Sequence, residues 1–220
     1  MRVLLTGGRG GIGSSIKEEL IAKGCFVVAP ASDELDLSSQ THVLKWIEAN
    51  SDLEFDVLVL CAGTNSPRDF DEVETNEYIQ ILETNLNSNR LLIKAVLPAM
   101  QKNRFGRIIA ISSSYSTITR AGRSSYSVSK AALEALIRSV ALENAHVNIL
   151  ANSIVPGFIE TPLTEKNNDK FQIAKILERV PMGHLGKPSD VAKLVWFLTS
   201  EQNTYITGQS IRVDGGFSIN

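Results

Sequence analysis

Short, continuously apolar runs alternate along the chain with longer stretches in which apolar residues recur at helical spacing. The runs predict strands at Val3–Thr6, Phe26–Ala29, Val57–Cys61, Arg107–Ser112, Val147–Val155 and Ser210–Val213. The amphipathic stretches predict helices at Ile12–Lys23, Ser39–Ala49, Thr75–Glu83, Asn85–Gln101, Ser125–Asn144 and Ser189–Leu198. Strands without polar alternation belong to a parallel sheet covered on both faces. Regular strand–helix–strand alternation therefore predicts a Rossmann-like, doubly wound α/β fold of about seven strands with right-handed crossovers. No repeat, low-complexity tract or linker interrupts the pattern, so residues 1–220 are expected to form one domain.

The least regular stretch is 157–186. It has prolines in or beside it at Pro156, Pro162, Pro181 and Pro188, and a polar run from Glu165 to Lys170. A short helix is expected there at Phe171–Arg179, and the whole segment is a candidate substrate lid.

Composition narrows the function by exclusion. The formal charge is −2 with no long basic run, so no nucleic-acid or anionic-membrane partner is expected. No apolar run approaches the roughly 20 residues that span a bilayer. The chain starts almost directly on a strand, leaving no room for a signal peptide, and a cytoplasmic location is expected. Cys25 and Cys61 lie in apolar runs and read as reduced, buried thiols. His42, His146 and His184 are scattered, and no Cys/His cluster has ligand spacing, so no metal site is expected.

The first strand runs into Thr6-Gly7-Gly8-Arg9-Gly10-Gly11-Ile12-Gly13 and then into a helix. Glycines permit the tight turn and let backbone approach a pyrophosphate, and the helix N-terminus supplies free N–H groups and a positive dipole end. A glycine-rich turn alone is weak evidence; one that opens the first strand–helix unit of an α/β chain points to a dinucleotide cofactor. An acid at the end of strand two would bind the adenosine ribose 2′-hydroxyl, but the position expected to carry it is Ala31. Without that carboxylate a 2′-phosphate meets no repulsion, Ser32 could donate to it, and Arg9 could reach it from the glycine loop. This favours NADP(H), with NAD(H) possible, since a small shift in the turn could bring in the carboxylate of Asp33.

Tyr126 and Lys130, in Tyr126-Ser127-Val128-Ser129-Lys130, are one helical turn apart and project from the same helix face. An ammonium beside a phenol favours the phenolate and is expected to pull its pKa down from about 10, which makes the pair a proton-transfer device. Ser113 follows the apolar run Ile108–Ile111 and supplies a third polar group, a hydroxyl. By itself the pair reads first as a surface Tyr and Lys on an amphipathic helix, since this spacing occurs often by chance.

Taken together, Thr6, Gly7, Gly11 and Gly13, the Ala62-Gly63 step, Asn85, Ser113, Tyr126, Lys130 and Pro156-Gly157 resemble the short-chain dehydrogenase/reductase family. The resemblance is to its compact branch, is similar in detail to 3-oxoacyl-carrier-protein reductases, and runs from Val3 to Gly216. It implies that Asp36-Leu37 holds adenine and that Cys61, Ala62 and Gly63 back the cofactor. It also implies that Ile159 and Thr161, after Pro156-Gly157, contact the nicotinamide amide.

In the implied mechanism nicotinamide exchanges hydride with a carbonyl carbon and Tyr126 exchanges the proton at oxygen. Lys130 tunes Tyr126 and holds the nicotinamide ribose, Ser113 orients the carbonyl, and Asn85 anchors a water linking Lys130 to solvent. The partners implied are a small carbonyl or alcohol substrate and a second copy of the chain. The helices Asn85–Gln101 and Ser125–Asn144 match those that form a dimer or tetramer interface in the family.

Bland readings stand beside these. Asn85 could cap the following helix, and Pro156-Gly157 could be only a turn. Ser112 and Ser114 read as structural neighbours of Ser113; a hydrolase serine would need a G-x-S-x-G elbow, which is absent. Arg120 and Arg123 read first as solvated surface arginines, and second as a lure for an anionic substrate such as an acyl carrier or nucleotide sugar. The 24–63 segment is shorter than the family usual, with strand three reduced to about Leu35-Asp36-Leu37. An NAD(H)-preferring dehydrogenase, or a non-catalytic dinucleotide sensor or scaffold on the same fold, are the rival functions.

Overall fold

The computed structural model describes residues 1–219, and the side chains of all of these except Lys166, Asn167 and Lys170. Among the described residues, six parallel strands form one sheet: β1 (Arg2–Thr6), β2 (Phe26–Val28), β3 (Val57–Leu60), β4 (Gly106–Ile111), β5 (Ile149–Pro156) and β6 (Ser210–Val213), in the order β2-β1-β3-β4-β5-β6. The helices are α1 (Gly11–Ala22), α2 (Gln40–Ala49), α3 (Thr75–Leu82), α4 (Ser88–Asn103), α5 (Ser124–Asn144), α6 (Pro162–Asn167), α7 (Lys170–Leu177) and α8 (Pro188–Thr199).

The unbroken apolar strands explain the layering, because successive side chains point to opposite faces. Leu4, Leu58, Leu60, Ile108 and Ala110 pack on one face against α2, α4 and α5. Val3, Leu5, Val57, Val59, Ile109 and Ile111 pack on the other face against α1 and α8. Each of these eleven side chains is almost wholly buried; cutting a core leucine or isoleucine to alanine costs about 2–5 kcal/mol.

The seventh strand does not form. Leu35-Asp36-Leu37 is an irregular turn in which both leucines enter the core while Asp36 accepts hydrogen bonds from the N–H and hydroxyl of Ser38. The short connection leaves β2, three residues long, as one edge of the sheet, with β6 at the other. The chain also enters β5 later than the apolar pattern implies. Residues Ala145–Val147 coil into a 3₁₀ turn and Asn148 takes φ +61°, a left-handed conformation that Asn tolerates better than most residues.

The helices expected at Thr75–Glu83 and Asn85–Gln101 are joined. A π-helical turn, Glu83–Asn87, carries α3 into α4 without a break, so Asn85 caps nothing and its side chain turns inward. The strand order reverses between β1 and β3, which lie side by side, and a ligand crevice belongs at the carboxyl ends of strands at such a point.

Candidate active site

A cavity of about 640 Å³ opens there. Its floor consists of residues that directly follow strands. After β1, Gly7, Arg9, Gly11, Ile12 and Gly13 line it. Gly7 needs φ +71°, and a side chain at Gly7 would meet the Ala62 backbone at 2.8 Å, which is how β1 and the turn after β3 come so close. Thr6 ties the same join, since its hydroxyl oxygen accepts the N–H groups of Cys61 and Ala62, each at 3.1 Å.

Helix α1 has Gly10 as its N-cap, with no side-chain cap hydrogen bond and no acidic residue in its first turn. Its first N–H groups and positive dipole end therefore remain available at the cavity edge, where phosphate oxygens fit. A dinucleotide suits this cradle by shape and charge.

After β3 come Cys61, Ala62 and Gly63, and after β5 come Pro156, Gly157, Ile159 and Thr161, all on the cavity wall. Burial pushes the Cys61 thiol up to about 12, with the Lys130 charge opposing, so it stays a neutral thiol. Gly157 packs where a Cβ would lie 2.7 Å from Asp214, so this step is a close approach of two segments as well as a turn.

Ser113, Tyr126 and Lys130 converge at the far end. Ser113 follows β4, accepts the N–H of Tyr115 at 3.2 Å, and is near enough to the Tyr126 phenol to favour its ionised form. Lys130 is 3% exposed; its Nζ donates to the Ile111 carbonyl at 2.8 Å and sits 5.7 Å from the centre of the Tyr126 ring. Burial pulls Lys130 down to about 8, with Cys61 and Glu134 opposing.

The phenol corrects the sequence expectation. Burial raises the Tyr126 pKa above that of an ordinary tyrosine, with the Ser113 hydroxyl and the Arg123 charge pulling it only part of the way back. Desolvation of a phenolate outweighs the neighbouring cations here. Tyr126 is therefore held protonated at neutral pH, as a donor.

Asn85 lies beneath this group at 0% exposure. Its Oδ1 accepts the Thr64 N–H at 2.8 Å, and its Nδ2 donates to the Thr64 carbonyl at 2.9 Å and to Ser129 Oγ at 3.0 Å. A Cβ on Gly63 would come 3.2 Å from Lys130 Nζ and 3.3 Å from Asn85 Oδ1, so the glycine is what lets lysine and asparagine meet. Ser112 and Ser114 turn away from the cavity centre into structural bonds: Ser112 donates to buried Glu134 and Ser114 to the Pro156 carbonyl.

Three residues expected at the cofactor lie outside this cavity. Ser32 is exposed in the turn after β2, Leu37 is in the core, and Asp36, its pKa lowered by the Ser38 hydroxyl, is engaged by Ser38 within its own turn. In the same turn Glu34 accepts the Ala31 N–H at 2.8 Å, which places a carboxylate at the strand-two terminus through a residue that lies beyond the position where the motif would carry an acid.

The cavity mouth was not legible as a site. Tyr115, Phe158 and Phe217 form a chain of edge-to-face rings with centroids 6.1 and 5.1 Å apart, and Tyr115 also meets Tyr126 at 6.5 Å. They come from three distant segments and share no motif. Arg120 is exposed, as a surface arginine would be, but Arg123 is buried against the cavity. Within the 157–186 segment Thr161 caps α6 and Asp169 forms a capping box on α7, and an isolated bridge pairs Ile159 with Gly186.

Comparison with known proteins agrees with this geometry. Residues 15–218 match the family profile described as enoyl-(acyl carrier protein) reductase. The chain is 37% identical to the 3-oxoacyl-[acyl-carrier-protein] reductase FabG of Rickettsia felis, over 97% of its length and 95% of the relative's. It is 38% identical to the protein of the same name from Escherichia coli, with the same coverage.

Among solved structures, the aldohexose dehydrogenase of Thermoplasma acidophilum superposes with a TM-score of 0.91 at 30% identity, covering 100% of this chain and 94% of that one. The 3-ketoacyl-(acyl-carrier-protein) reductase of Brucella melitensis complexed with NADH gives 0.89 at 26% identity, covering 99% and 98%. A strand-end cavity with an uncapped phosphate cradle at one side and serine, tyrosine and lysine at the other thus recurs in a chain whose relatives match end to end: the protein belongs to the short-chain dehydrogenase/reductase family, oxidoreductases that act on CH–OH groups with NAD(P).

Proposed function

We propose that this chain is an NADP(H)-dependent carbonyl reductase that interconverts a ketone and a secondary alcohol. The observation that carries the reading is the convergence of Ser113, Tyr126 and Lys130 at one end of a cavity whose other end is the glycine loop at the bare α1 terminus. The bound nicotinamide supplies the hydride in reduction and accepts it in oxidation.

The residues do the rest. Ser113 donates a hydrogen bond to the substrate carbonyl oxygen as charge gathers on it. Tyr126, held protonated by burial, gives its proton to that oxygen as the carbon gains hydride. Lys130, anchored on the Ile111 carbonyl, stabilises the phenolate left behind. Asn85 fixes Thr64 and Ser129 around Lys130 and so positions the route by which the proton is replaced.

Gly7, Arg9, Gly11, Ile12 and Gly13 hold the pyrophosphate, while Cys61, Ala62, Gly63, Pro156, Gly157, Ile159 and Thr161 shape the walls around the cofactor. Ala31 in place of an acid, with Arg9 on the cavity wall, supports NADP(H) over NAD(H); Ser32, Asp36 and Leu37 lie outside the cavity and carry no part of this reading. NADP is carried by a related structure from Beutenbergia cavernae of TM-score 0.95 and 27% identity, assigned as a gluconate 5-dehydrogenase.

Residues 1–220 act as one domain in this reading, with 157–186 as a lid, although Asn220 lies outside the described residues. No described helix is long and apolar enough to cross a membrane, in keeping with a cytoplasmic enzyme. The exposed Leu142 and Val128 on α5 support assembly as a homodimer or homotetramer; light scattering that returns only monomer contradicts this. The test of function is NADPH consumption against a panel of ketones. Turnover with NADPH exceeding that with NADH is the expected result, and binding of cofactor with no turnover of any carbonyl would favour a sensor.

A further inference from the structure

The segment between Ser113 and Tyr126 ends on Arg123, the N-cap position of α5, and this arginine is turned inward. It is 5% exposed and lines the cavity. Its guanidinium lies 5.8 Å from the centre of the Tyr115 ring, and Nη1 is shielded from solvent with no hydrogen-bond partner. Among the described residues no carboxylate stands within ion-pair distance of it.

Arginine keeps its charge in proteins, so among the described residues Arg123 is a buried cation without a counter-ion. That arrangement is costly unless something arrives to pair it. Burial first, and the Arg120 charge second, make Arg123 a poorer holder of its proton than a free arginine.

Arg120 adds the second charge at the rim. It lies 5.6 Å over the same Tyr115 ring, and its Nη2 donates to Asn168 Oδ1 at 3.3 Å. Asn168 is itself buried and donates to the Thr164 carbonyl, so the 157–186 segment steadies Arg120. The Tyr115 hydroxyl is also buried and unpartnered. Two like charges and a spare hydroxyl facing one cavity are resolved together by an oxyanion. Arg123 and Tyr126 line the same cavity, with the Tyr115 ring centre 5.8 Å from the Arg123 guanidinium and 6.5 Å from the Tyr126 ring centre, so that oxyanion sits near the reacting carbonyl and not at the end of a long tail.

We propose that Arg123, with Arg120 at the rim, forms an anion subsite that selects substrates bearing a carboxylate or phosphate close to the carbonyl, so that the enzyme reduces small oxoacids or phosphorylated ketones in preference to neutral ones. This deepens the carbonyl-reductase reading and rests on it. The anionic group is unchanged in the reaction. The carbonyl carbon gains hydride, its oxygen gains the Tyr126 proton, and the subsite fixes which face and which carbon are presented.

The experiment compares matched pairs with NADPH at low ionic strength: acetoacetate against methyl acetoacetate, 2-oxobutyrate against its methyl ester, and dihydroxyacetone phosphate against dihydroxyacetone. Wild type, Arg123→Met and Arg123→Lys are assayed after melting curves verify that each is folded. The expected result is a higher kcat/KM for the charged member of at least one pair, and the pair that shows it separates carboxylate from phosphate as the source. That preference falls about ten- to a hundredfold in Arg123→Met, mostly through KM, and is partly restored in Arg123→Lys.

Equal use of both members of every pair by the wild type overturns the proposal, as does an equal loss on both members in Arg123→Met, which would make Arg123 only a tuner of Tyr126. Titration of the NADPH complex with malonate and with inorganic phosphate keeps the two readings apart. Wild-type binding that Arg123→Met loses supports the subsite even if no carbonyl is turned over, and absence of binding by both anions overturns it.

Discussion

The two ends of the cavity are made of different material. The floor is backbone and buried polar groups already spoken for: glycines after β1 and β3, Lys130 on the Ile111 carbonyl, Asn85 clasping Thr64 and Ser129. The mouth is side chains: Tyr115, Phe158 and Phe217 packed edge to face, with Arg120 and Arg123 over the first ring. A floor tied down this way fixes geometry for one reaction. A mouth of rings and partly unpaired cations leaves room for different substrates. The difference predicts that changes to the floor lower turnover of every substrate alike, while changes to the mouth redistribute activity among substrates.

The largest effect on the floor after Tyr126 itself is expected at Lys130. Lys130→Met should cut kcat about a hundredfold or more with all substrates, measured by steady-state kinetics. The pH dependence carries the same information. Lys130 is charged below its pKa of about 8 and loses that charge above it, so reductive kcat/KM should fall as pH rises through 8, and the break should be absent in Lys130→Met. A profile flat to pH 9 would detach Lys130 from the proton step.

Next in size is Gly13→Ala. The new Cβ would stand 2.0 Å from the Gly7 carbonyl oxygen, too close for any rotamer to relieve, so the glycine loop must shift. Strain of about 1–3 kcal/mol is expected to weaken NADPH binding about tenfold to a hundredfold in a fluorescence titration. Asn85→Ala should cost about 1–3 kcal/mol in thermal or urea unfolding, because it strips partners from the Thr64 N–H and carbonyl. Unchanged stability would show that the Thr64 loop is held by something else.

Smallest is Glu34→Gln. The Glu34 carboxylate is held beside the strand-two terminus by the Ala31 N–H at 2.8 Å. Removing its charge should raise the NADPH-over-NADH preference a fewfold; a fall would mean that Arg9 does not read the 2′-phosphate.

The same contrast explains what could be read from the chain. The doubly wound sheet was visible because strands buried on both faces have no polar alternation. The floor was visible because its groups are tied to neighbours in sequence: glycines inside one turn, and a tyrosine and lysine one helical turn apart on α5. Leu35-Asp36-Leu37 misled because two buried leucines flanking an aspartate look like a strand, whereas here they plug the core from a turn. The rise in the Tyr126 pKa depends on desolvation, which no spacing rule carries. The mouth was hidden because Tyr115, Phe158, Asn168 and Phe217 come together only in three dimensions. Arg123 read as solvated because a charged residue beside Gly122 and two serines looks like a loop.

The central claim is that Tyr126 gives the proton while hydride reaches the carbonyl carbon. Tyr126→Phe removes one oxygen and leaves the ring, its packing against Tyr115 and the glycine loop in place. The direct test pairs its turnover with its NADPH affinity, using the best ketone for the wild type. The account predicts a fall in kcat of about a thousandfold with NADPH affinity within about threefold of wild type; turnover by Tyr126→Phe at the wild-type rate would contradict it.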